Sequence, residues 1–388
     1  MGRVPWAGGR ESDALLSAAM GIARRQASFD GGPIDSIYPH LVIVQGFWAA
    51  ACAVAALIER MSSGLGQTVT VGGVHAVMVA GAGALTFDPS APPTRRGVGG
   101  SGGPGGAVPF YRTYQCQDGE WLFLAALTPV FTAAAFRALE ITGLMEDERL
   151  GGRGRAGMLQ PENIGWVIET IAEVFRTRPR SVWLERLEKE GCPVGPVEPR
   201  DGWLDHPHVR SIGMRIEITD PNGKVVMPGT PLNLTATPAF IRSPAPRLGE
   251  HATDLDSRVV PSVLTKEVGS SPQPSNGPLQ GLRVLDLGAI IAGPLTASLL
   301  GELGADVIKV EPLTGDSFRG PGFNAYNKGQ RSIALDLRNS LGKGAFMELV
   351  RNADVVIDNY RPGVLERLGI AYEQLIQANP RIVTLSIT

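Results

Sequence analysis

The feature that most constrains the fold is an alternation of strand-like and helix-like segments at the end of the 388-residue chain. The runs "RVLDL", "DVIKVE", "RSIALDL", "DVVIDNY" and "RIVTLSIT" are short and apolar, and helical segments of about ten residues lie between most of them. Strands that alternate with helices are typical of a parallel sheet. The predicted fold class is therefore α/β, a Rossmann-like parallel sheet with a smaller α+β domain.

The preceding segment predicts that α+β domain together with further helices. The run "SDALLSAAMGI" has a capping signal and helical spacing, and "TVTV" predicts a short strand. The apolar run 46–58 predicts a buried helix that ends near "SSGLGQ", and at 13 residues it is too short to span a bilayer. The turns "QDGE" and "PNGK" predict β-hairpins. Further helices are predicted near 129–140, 162–176 and 180–190.

Charge and cysteine content exclude several classes of function. Thirty-six basic and 38 acidic residues give a net charge of −2, which argues against a nucleic-acid partner or a polybasic membrane surface. Cys52, Cys116 and Cys192 are far apart and form no CxxC pair, so neither a zinc site nor a disulfide framework is expected. The two histidines in "DHPH", His206 and His208, have no third ligand nearby, so no bound metal is expected. The start "MGRVPWAGGRESD" lacks a signal peptide, and the expected location is the cytoplasm.

Three features suggest a ligand but leave alternatives open. The turn "GAIIAGP", 288–294, is not GxGxxG, and close packing explains its small residues as well as ligand binding does. The run "VGGSGGPGG" is either a tether or a lid. Basic residues near predicted strand ends or in loops suit a polyphosphate, or are an ordinary solvated surface. They are Lys309, Lys328, Arg331, Arg338, Arg361 and Arg367.

The segment "GLRVLDLGAIIAGPLTASLLGELGADVIKVEP", followed by "RSIALDL" and "NYRPGVLERLG", closely resembles the N-terminal portion of family III CoA-transferases, the CaiB/BaiF family. The resemblance covers 279–388. Earlier motifs, including "GFWAAACAVAALIERMSSGLGQTVTV" and "GCPVGPVEPRDGWLDHPHV", are similar to the later portion of the same family. This order implies either a circular permutant or a piece of a tandem fusion, and the loss of periodicity before 279 favours the fusion.

The tandem-fusion interpretation divides the chain into segments of two copies. Copy one contributes the end of its large domain, its glycine loop and small α+β domain, and its closing segment. A linker follows, and copy two contributes an incomplete CoA-binding part. The predicted boundaries are 1–90, 91–235, 236–261, 262–278 and 279–388.

The resemblance implies a nucleophilic aspartate four residues before a glycine that opens the apolar helix. That glycine is expected to be Gly46, and the position four residues earlier is Val42, which carries no nucleophile. Asp35 is a weaker alternative, because choosing it as the nucleophile requires shifting the correspondence with the family by seven residues. Copy one is therefore expected to have lost its nucleophile, and this chain alone is expected to be inactive.

The family's CoA contacts fall by resemblance on nine residues of copy two. They are Ala292, Leu335, Asp336, Leu337, Arg338, Asn359, Tyr360, Arg361 and Arg367. Pro312 stands where some members have a basic residue, so that contact is in doubt. The family's glycine loop corresponds to Gly99, Gly100, Gly102, Gly103, Gly105 and Gly106.

The resemblance implies an enzyme that moves CoA between an acyl-CoA and a small carboxylic acid. Its mechanism passes through an aspartyl anhydride, with CoA as substrate. A homodimer or an intramolecular pseudo-dimer is expected. An α-methylacyl-CoA racemase-like enzyme is one alternative, although no proton-transfer pair can be placed in this sequence. A non-catalytic copy that binds CoA or completes a partner's fold is the other, and Val42 favours it.

Overall fold

The computed structural model describes residues 12–24, 28, 32–87, 89–90, 106, 108–220, 223–251, 276–319 and 321–388. The chain divides into two compact units. The first comprises Met1–Ser101 and Val263–Thr388, and the second comprises Gly102–Ser262. Most of the predicted linker lies outside the described residues, as do all the glycines of the predicted loop except Gly106.

The first unit contains a parallel sheet whose five described strands lie in the order β10-β9-β6-β7-β8. The strands are β6 (Arg283–Asp286), β7 (Asp306–Glu311), β8 (Arg331–Ala334), β9 (Val355–Asp358) and β10 (Val383–Ser386). The helices between and after them are α10 (Ala292–Glu302), α11 (Pro321–Tyr326), α12 (Ser340–Val350), α13 (Val364–Leu368) and α14 (Tyr372–Ala378). This is the doubly wound Rossmann order, which confirms the predicted fold class.

Apolar side chains cover both faces of this sheet. One cluster joins Leu285, Ile308 and Val356 to Phe346 on α12. The other packs Val284, Val307 and Ile357 with Ala297 on α10. Burial on two faces explains why these strands appear in the sequence as nearly continuous apolar runs.

The first unit also contains the helices α1 (Asp13–Ala19), α2 (His40–Ser63), α3 (Gly73–Ala80) and α4 (Ala82–Leu85). Leu16, Leu41 and Val77 form the small core in which α1, α2 and α3 meet. On α4, Gly83 lies so close to the Tyr326 hydroxyl of α11 that a Cβ at this position would collide with it. The early helices therefore pack with a helix from the Rossmann-like part.

Helix α2 differs from its prediction. It is 24 residues long, begins six residues before Gly46, and is followed by the capping residue Gly64, whose φ is 76°. Of its residues, all of them described, Leu41 and Ala55 are buried. Its length and composition would allow it to cross a membrane, with a mean hydropathy of 2.2 over 18 residues, of which 11% are buried. The predicted length was wrong because the helix continues beyond both ends of the run 46–58. The predicted burial was wrong because an apolar run does not show how much neighbouring chain covers a helix.

The predicted strand "TVTV" is also absent: residues 68–71 belong to no strand in the structure. Val71 instead accepts a hydrogen bond at its carbonyl oxygen from the Gln45 side chain. A strand needs a neighbouring backbone for its hydrogen bonds. None of the described strands lies against this segment, so its alternating pattern does not produce one.

The second unit has its own core. Within the described residues, β1 (Tyr111–Gln115), β2 (Trp121–Ala125) and β3 (Val194–Pro196) form an antiparallel sheet. The hairpin of β4 (Arg215–Asp220) and β5 (Gly223–Pro228) lies apart from it. The helices are α5 (Pro129–Ala138), α6 (Arg155–Met158), α7 (Pro161–Phe175), α8 (Arg180–Lys189) and α9 (Pro207–Ser211). Both predicted hairpins and the three predicted helices are confirmed.

Candidate functional site

The candidate site lies at the carboxyl ends of the parallel strands in the first unit. Strands β6 and β9 are neighbours, and the strand order continues in opposite directions from them. Ligands of open parallel sheets bind in the crevice outside such a topological switch point. Residues Gly288–Ile290, which we call the switch turn, follow β6 at this place, and Asn359 follows β9.

Asn359 fixes the switch turn from the side of β9. Its Oδ1 accepts a hydrogen bond from the Ala289 amide at 2.8 Å, and its Nδ2 donates to the Ala289 carbonyl at 2.9 Å. The side chain therefore binds both backbone groups of one residue. Gly288 is needed in the same turn because a Cβ there would lie 2.7 Å from the Gly293 Cα.

A buried ion cluster lies beneath the switch turn. Lys309 on β7 is 2% exposed, and its Nζ lies 3.4 Å from Asp286 Oδ2 and 3.6 Å from Asp316 Oδ2. Burial raises the pKa of Asp286 above its ordinary value, although the charge of Lys309 and the Gly288 hydrogen bond oppose that rise. One lysine thus faces two carboxylates in the interior, a costly arrangement unless the groups are also hydrogen-bonded.

Glu311, at the end of β7, organises the next loop. It accepts hydrogen bonds from the Ser332 hydroxyl at 2.7 Å, from the Asp316 amide at 3.0 Å and from Arg319 at 2.6 Å. Burial by itself raises the pKa of Glu311. The hydrogen bonds from Ser332, Asp316 and Arg319 outweigh burial, so the pKa lies below its ordinary value. The carboxylate thereby holds the loop that carries Asp316.

A cavity of about 370 Å³ opens beside these groups, at the carboxyl ends of β7 and β8. It collects five of the nine residues that the sequence assigned to CoA. Its lining is Val310, Glu311, Pro312, Leu313, Thr314, Leu335, Asp336, Leu337, Arg338, Tyr360 and Leu368. Apolar walls with a few polar groups at one edge are the usual form of a small-molecule site.

Within this cavity, Asp336 and Arg338 form a pair. The Arg338 Nε donates to Asp336 Oδ1 at 2.8 Å, and the Arg338 side chain is largely exposed. The side-chain hydrogen bond from Arg338 lowers the pKa of Asp336, and the Arg338 backbone amide adds to this effect. The guanidinium is thus held at the rim of the cavity, where it can also donate to a phosphate.

The other four predicted contacts do not line this cavity. Arg361 lines a second cavity of about 170 Å³, which shares Tyr360 with the first. Burial raises the pKa of the Tyr360 hydroxyl, and the charges of Asp286, Asp358 and Asp316 raise it further. Ala292 is the first residue of α10 and is exposed, as is Arg367 on α13.

Besides the arginine on α13, three of the six basic residues that the sequence left open as polyphosphate contacts or solvated surface line neither of these two cavities. Lys309 is buried in the ion cluster. Lys328 pairs with Glu302 at 2.7 Å. Arg331 begins β8, at the amino end of the sheet, and donates to Asp306 at 2.7 Å. Lys328 and Arg331 thus fit the solvated-surface alternative that the sequence left open. The buried Lys309 fits neither alternative, because the sequence does not show which face or which end of a strand a side chain occupies.

The predicted nucleophile position lies on α2. Val42 is the third residue of that helix and 47% exposed, and its amide donates to Asp13 Oδ1 at 3.0 Å. Because the helix begins at His40, Gly46 lies inside it and does not open it. Asp35 is exposed in the segment before the helix. Among the described residues, no cluster of three histidine, cysteine or acidic residues suits a metal ion.

Sequence reasoning missed the residues that support the site. Asp286 and Asp316 were not selected, and Pro312 was doubted although it lines the cavity. A signal was present: "RVLDL" and "DVIKVE" place charged residues inside otherwise apolar strands. A charge in a buried strand requires a partner, and that requirement alone could have linked Asp286 to Lys309.

Comparison with known proteins gives a match to the family model described as CoA-transferase family III over residues 2–252 and 279–388. The Mycobacterium tuberculosis protein named "Probable CoA-transferase Rv1866" is 27% identical over 393 residues, which are 96% of this chain and 47% of that protein. The acetyl-CoA:oxalate CoA-transferase of Acetobacter aceti is 40% identical over 124 residues, 29% of this chain and 32% of that protein.

Among solved structures, a CAIB/BAIF family protein from Brucella suis is 42% identical. The similarity covers 29% of this chain and 34% of that chain, with a TM-score of 0.29. The chain thus spans less than half the length of each relative named here.

Proposed function

The chain belongs to CoA-transferase family III, and from this premise we propose that it is part of a longer enzyme that moves CoA from an acyl-CoA to a carboxylic acid. The observation that carries the proposal is the family match over 2–252 and 279–388. The cavity at the carboxyl ends of β7 and β8 supports it, because five predicted CoA contacts line that cavity. The substrates are an acyl-CoA and a small carboxylate.

The proposed mechanism uses an aspartate as a covalent nucleophile. Its carboxylate attacks the thioester carbonyl, the C–S bond breaks, and an anhydride and CoA thiolate result. The thiolate attacks the aspartyl carbonyl, which releases the first acid and leaves an aspartyl-CoA thioester. The incoming carboxylate displaces the thiolate to form a second anhydride. The thiolate then attacks the new acyl carbonyl and frees the aspartate.

We place the aspartate of this mechanism outside the chain. Val42 occupies the expected position and has no nucleophilic atom. The tandem-fusion hypothesis supplies the residue from the second copy, and one relative supports that hypothesis: it matches 96% of this chain with 47% of its own length. In this arrangement the chain contributes a CoA-binding half, and the longer protein forms a pseudo-dimer in the cytoplasm.

The exposed face of α2 supports the proposal of a longer assembly. Phe47, Val54 and Met61 are each at least half exposed. Such a surface is unfavourable in water, and a helix of this kind is normally covered by protein or lipid. We propose that the remainder of the longer enzyme, or a second copy, covers it.

The experiment compares binding with turnover in the 1–388 chain. We expect it to bind CoA in a calorimetric titration and to show no transfer from acetyl-CoA to oxalate, formate or malate in a chromatographic assay. The longer protein should catalyse transfer, and hydroxylamine should trap an aspartyl hydroxamate outside residues 1–388. Failure of the chain to bind CoA would contradict the proposed role of the cavity.

Substitution of Asp35 tests the alternative nucleophile, and substitution of Asp13 is the control. If the chain alone catalyses transfer, and Asp35→Asn abolishes it while Asp13→Asn does not, then Asp35 is the nucleophile and the inactive-copy proposal is wrong. If neither variant changes anything because no transfer occurs, the position of Val42 remains the explanation for the inactivity.

A further inference from the structure

The switch turn is held from several directions by side chains. Asp286 Oδ1 accepts from the Gly288 amide at 2.7 Å, and Lys309 Nζ donates to the Gly288 carbonyl at 2.8 Å. Asn359 binds both backbone groups of Ala289. Asp316 Oδ2 accepts from the Ile290 amide at 3.3 Å. Five of the six backbone polar groups of the turn therefore have a side-chain partner.

The turn needs this support because of Ile290. Its φ is 68°, in the left-handed region that β-branched residues rarely adopt. Such a conformation persists only where the surrounding structure imposes it. The next residues, Ile291 and Ala292, lead into α10, so the geometry of Ile290 sets the direction in which the first amides of that helix point.

Lys309 connects the groups that impose this conformation. It reaches the Gly288 carbonyl directly and lies near both Asp286 and Asp316, which bind the amides of Gly288 and Ile290. Its side chain is 2% exposed, so it cannot be a surface contact for a phosphate. Without its charge, two buried carboxylates would face each other with no cation between them.

We propose that Lys309 is a positioning residue for CoA: through Asp286, Asp316 and Gly288 it fixes the switch turn in the shape that receives the ligand. The inference rests on the proposed function, since CoA is the ligand that the turn would receive. It gives Lys309 a role that the sequence pattern did not suggest, because the residue acts from beneath the turn without touching the ligand.

The test compares Lys309→Met with Lys328→Met in the 1–388 chain. Lys328 is a suitable control because it pairs with Glu302 on the surface, with its side chain 57% exposed. Calorimetric titration with CoA gives both the dissociation constant and the number of binding sites. We expect Lys309→Met to raise the dissociation constant for CoA at least about tenfold at unchanged stoichiometry. The reason is that a switch turn displaced from its binding geometry would lose about that much affinity. A merely structural role would lower the stoichiometry and leave the dissociation constant unchanged.

Hydrogen exchange without CoA provides the second readout. In Lys309→Met the amides of Gly288 and Ile290 should exchange at least about tenfold faster, because their acceptors have lost the cation that holds them. The amides of β6 and β7 should remain protected. Lys328→Met should change neither the exchange nor the CoA affinity.

Asp316→Asn tests the same device if Lys309→Met does not fold. The substitution leaves Lys309 paired with Asp286. It replaces one of the two Asp316 oxygens, which accept hydrogen bonds from the amides of Ile290 and Phe318, with an NH₂ group that cannot accept. We expect weaker CoA binding at full stoichiometry. A wild-type chain that fails to bind CoA would defeat the proposed function. Normal CoA binding and unchanged turn exchange in a folded Lys309→Met or Asp316→Asn chain would overturn the positioning role.

Discussion

At the scale of the residue, the ion cluster beneath the switch turn gives one carboxylate an unusual titration. Burial raises the pKa of Asp286, so the carboxyl group keeps its proton to a higher pH in the folded state than in the unfolded chain. The contribution of Asp286 to stability therefore falls as the pH rises through that window. Hydrogen bonds from Gly288 and Lys309 limit this cost.

Gly288 supports a prediction about the turn itself. A Cβ at this position would lie 2.7 Å from the Gly293 Cα, 2.8 Å from Asp286 Oδ1 and 2.9 Å from the Pro294 Cδ. We expect Gly288→Ala to reduce the free energy of unfolding by about 1–3 kcal/mol through overpacking, and to weaken CoA binding. Urea unfolding and calorimetry measure the two effects.

Gly344→Ala is the matched control. Gly344 lies inside α12, and a Cβ there has no neighbour within 4 Å. This variant should be unchanged or more stable by up to about 1 kcal/mol, because alanine is the better helix former. Equal behaviour of the two variants would show that the switch turn is not closely packed.

At the scale of the element, one residue ties three strands together at the amino end of the sheet. Asp306 begins β7 and accepts hydrogen bonds from Arg283 on β6 at 3.0 Å and from Arg331 on β8 at 2.7 Å. Burial alone raises the pKa of Asp306. The hydrogen bonds from Arg331 and Arg283 outweigh burial, so the pKa lies below its ordinary value.

This arrangement predicts a pH-dependent loss in Asp306→Asn. A lowered carboxyl pKa contributes stability that is present above the ordinary value and is lost as the pH falls through the folded-state value. The variant should lose about 1 kcal/mol at pH 7, since the groups are partly exposed. The difference from wild type should disappear in acid, as urea unfolding at several pH values can show.

Asp201→Asn is the control for that experiment. Asp201 pairs with Arg200, but both side chains are more than four-fifths exposed. Its removal should change stability little at any pH. A loss in Asp306→Asn that is independent of pH would mean that packing, and not charge, explains the effect.

At the scale of the whole molecule, the cavity that collects five of the predicted CoA contacts lies in the first unit. It follows β7 and β8, and a second cavity of about 170 Å³ follows β9. The second unit has a core of its own, in which Tyr114 stacks on Phe175 and Trp183 donates to the Phe175 carbonyl. The proposed CoA site and the second core thus belong to different units.

This separation predicts where CoA should protect the chain. Hydrogen exchange should slow at 312–314 and at 335–338, because these segments line the cavity. It should also slow at the switch turn, which follows β6, the strand next to β7. Peptides from the second core, such as 121–125 and 167–175, should be unchanged in their exchange. Protection concentrated in the second core would contradict the assignment of the CoA site.

Much of the fold could be predicted from the sequence, but less of the site. The hairpins and the parallel strands follow from local patterns, and so do the helices of the second unit. The exposure of α2 could not be predicted, because a 24-residue apolar helix has the same sequence whether or not other chain covers it. Among the site residues, Arg338 lines the cavity and Asn359 binds the backbone of Ala289, and the CoA contacts predicted for both remain predictions.

The sequence by itself determined most of the strands and helices along the chain and the family to which the chain belongs. Only the tertiary structure decided what Lys309 does. The register of β6 and β7 places Asp286 beside Lys309, and paired residues on neighbouring strands point to the same face. A sequence shows which residues carry charge, whereas the pairing of distant strands decides which charges meet. That is why Lys309, which the sequence left open between a phosphate contact and a solvated surface residue, is a buried support for the switch turn.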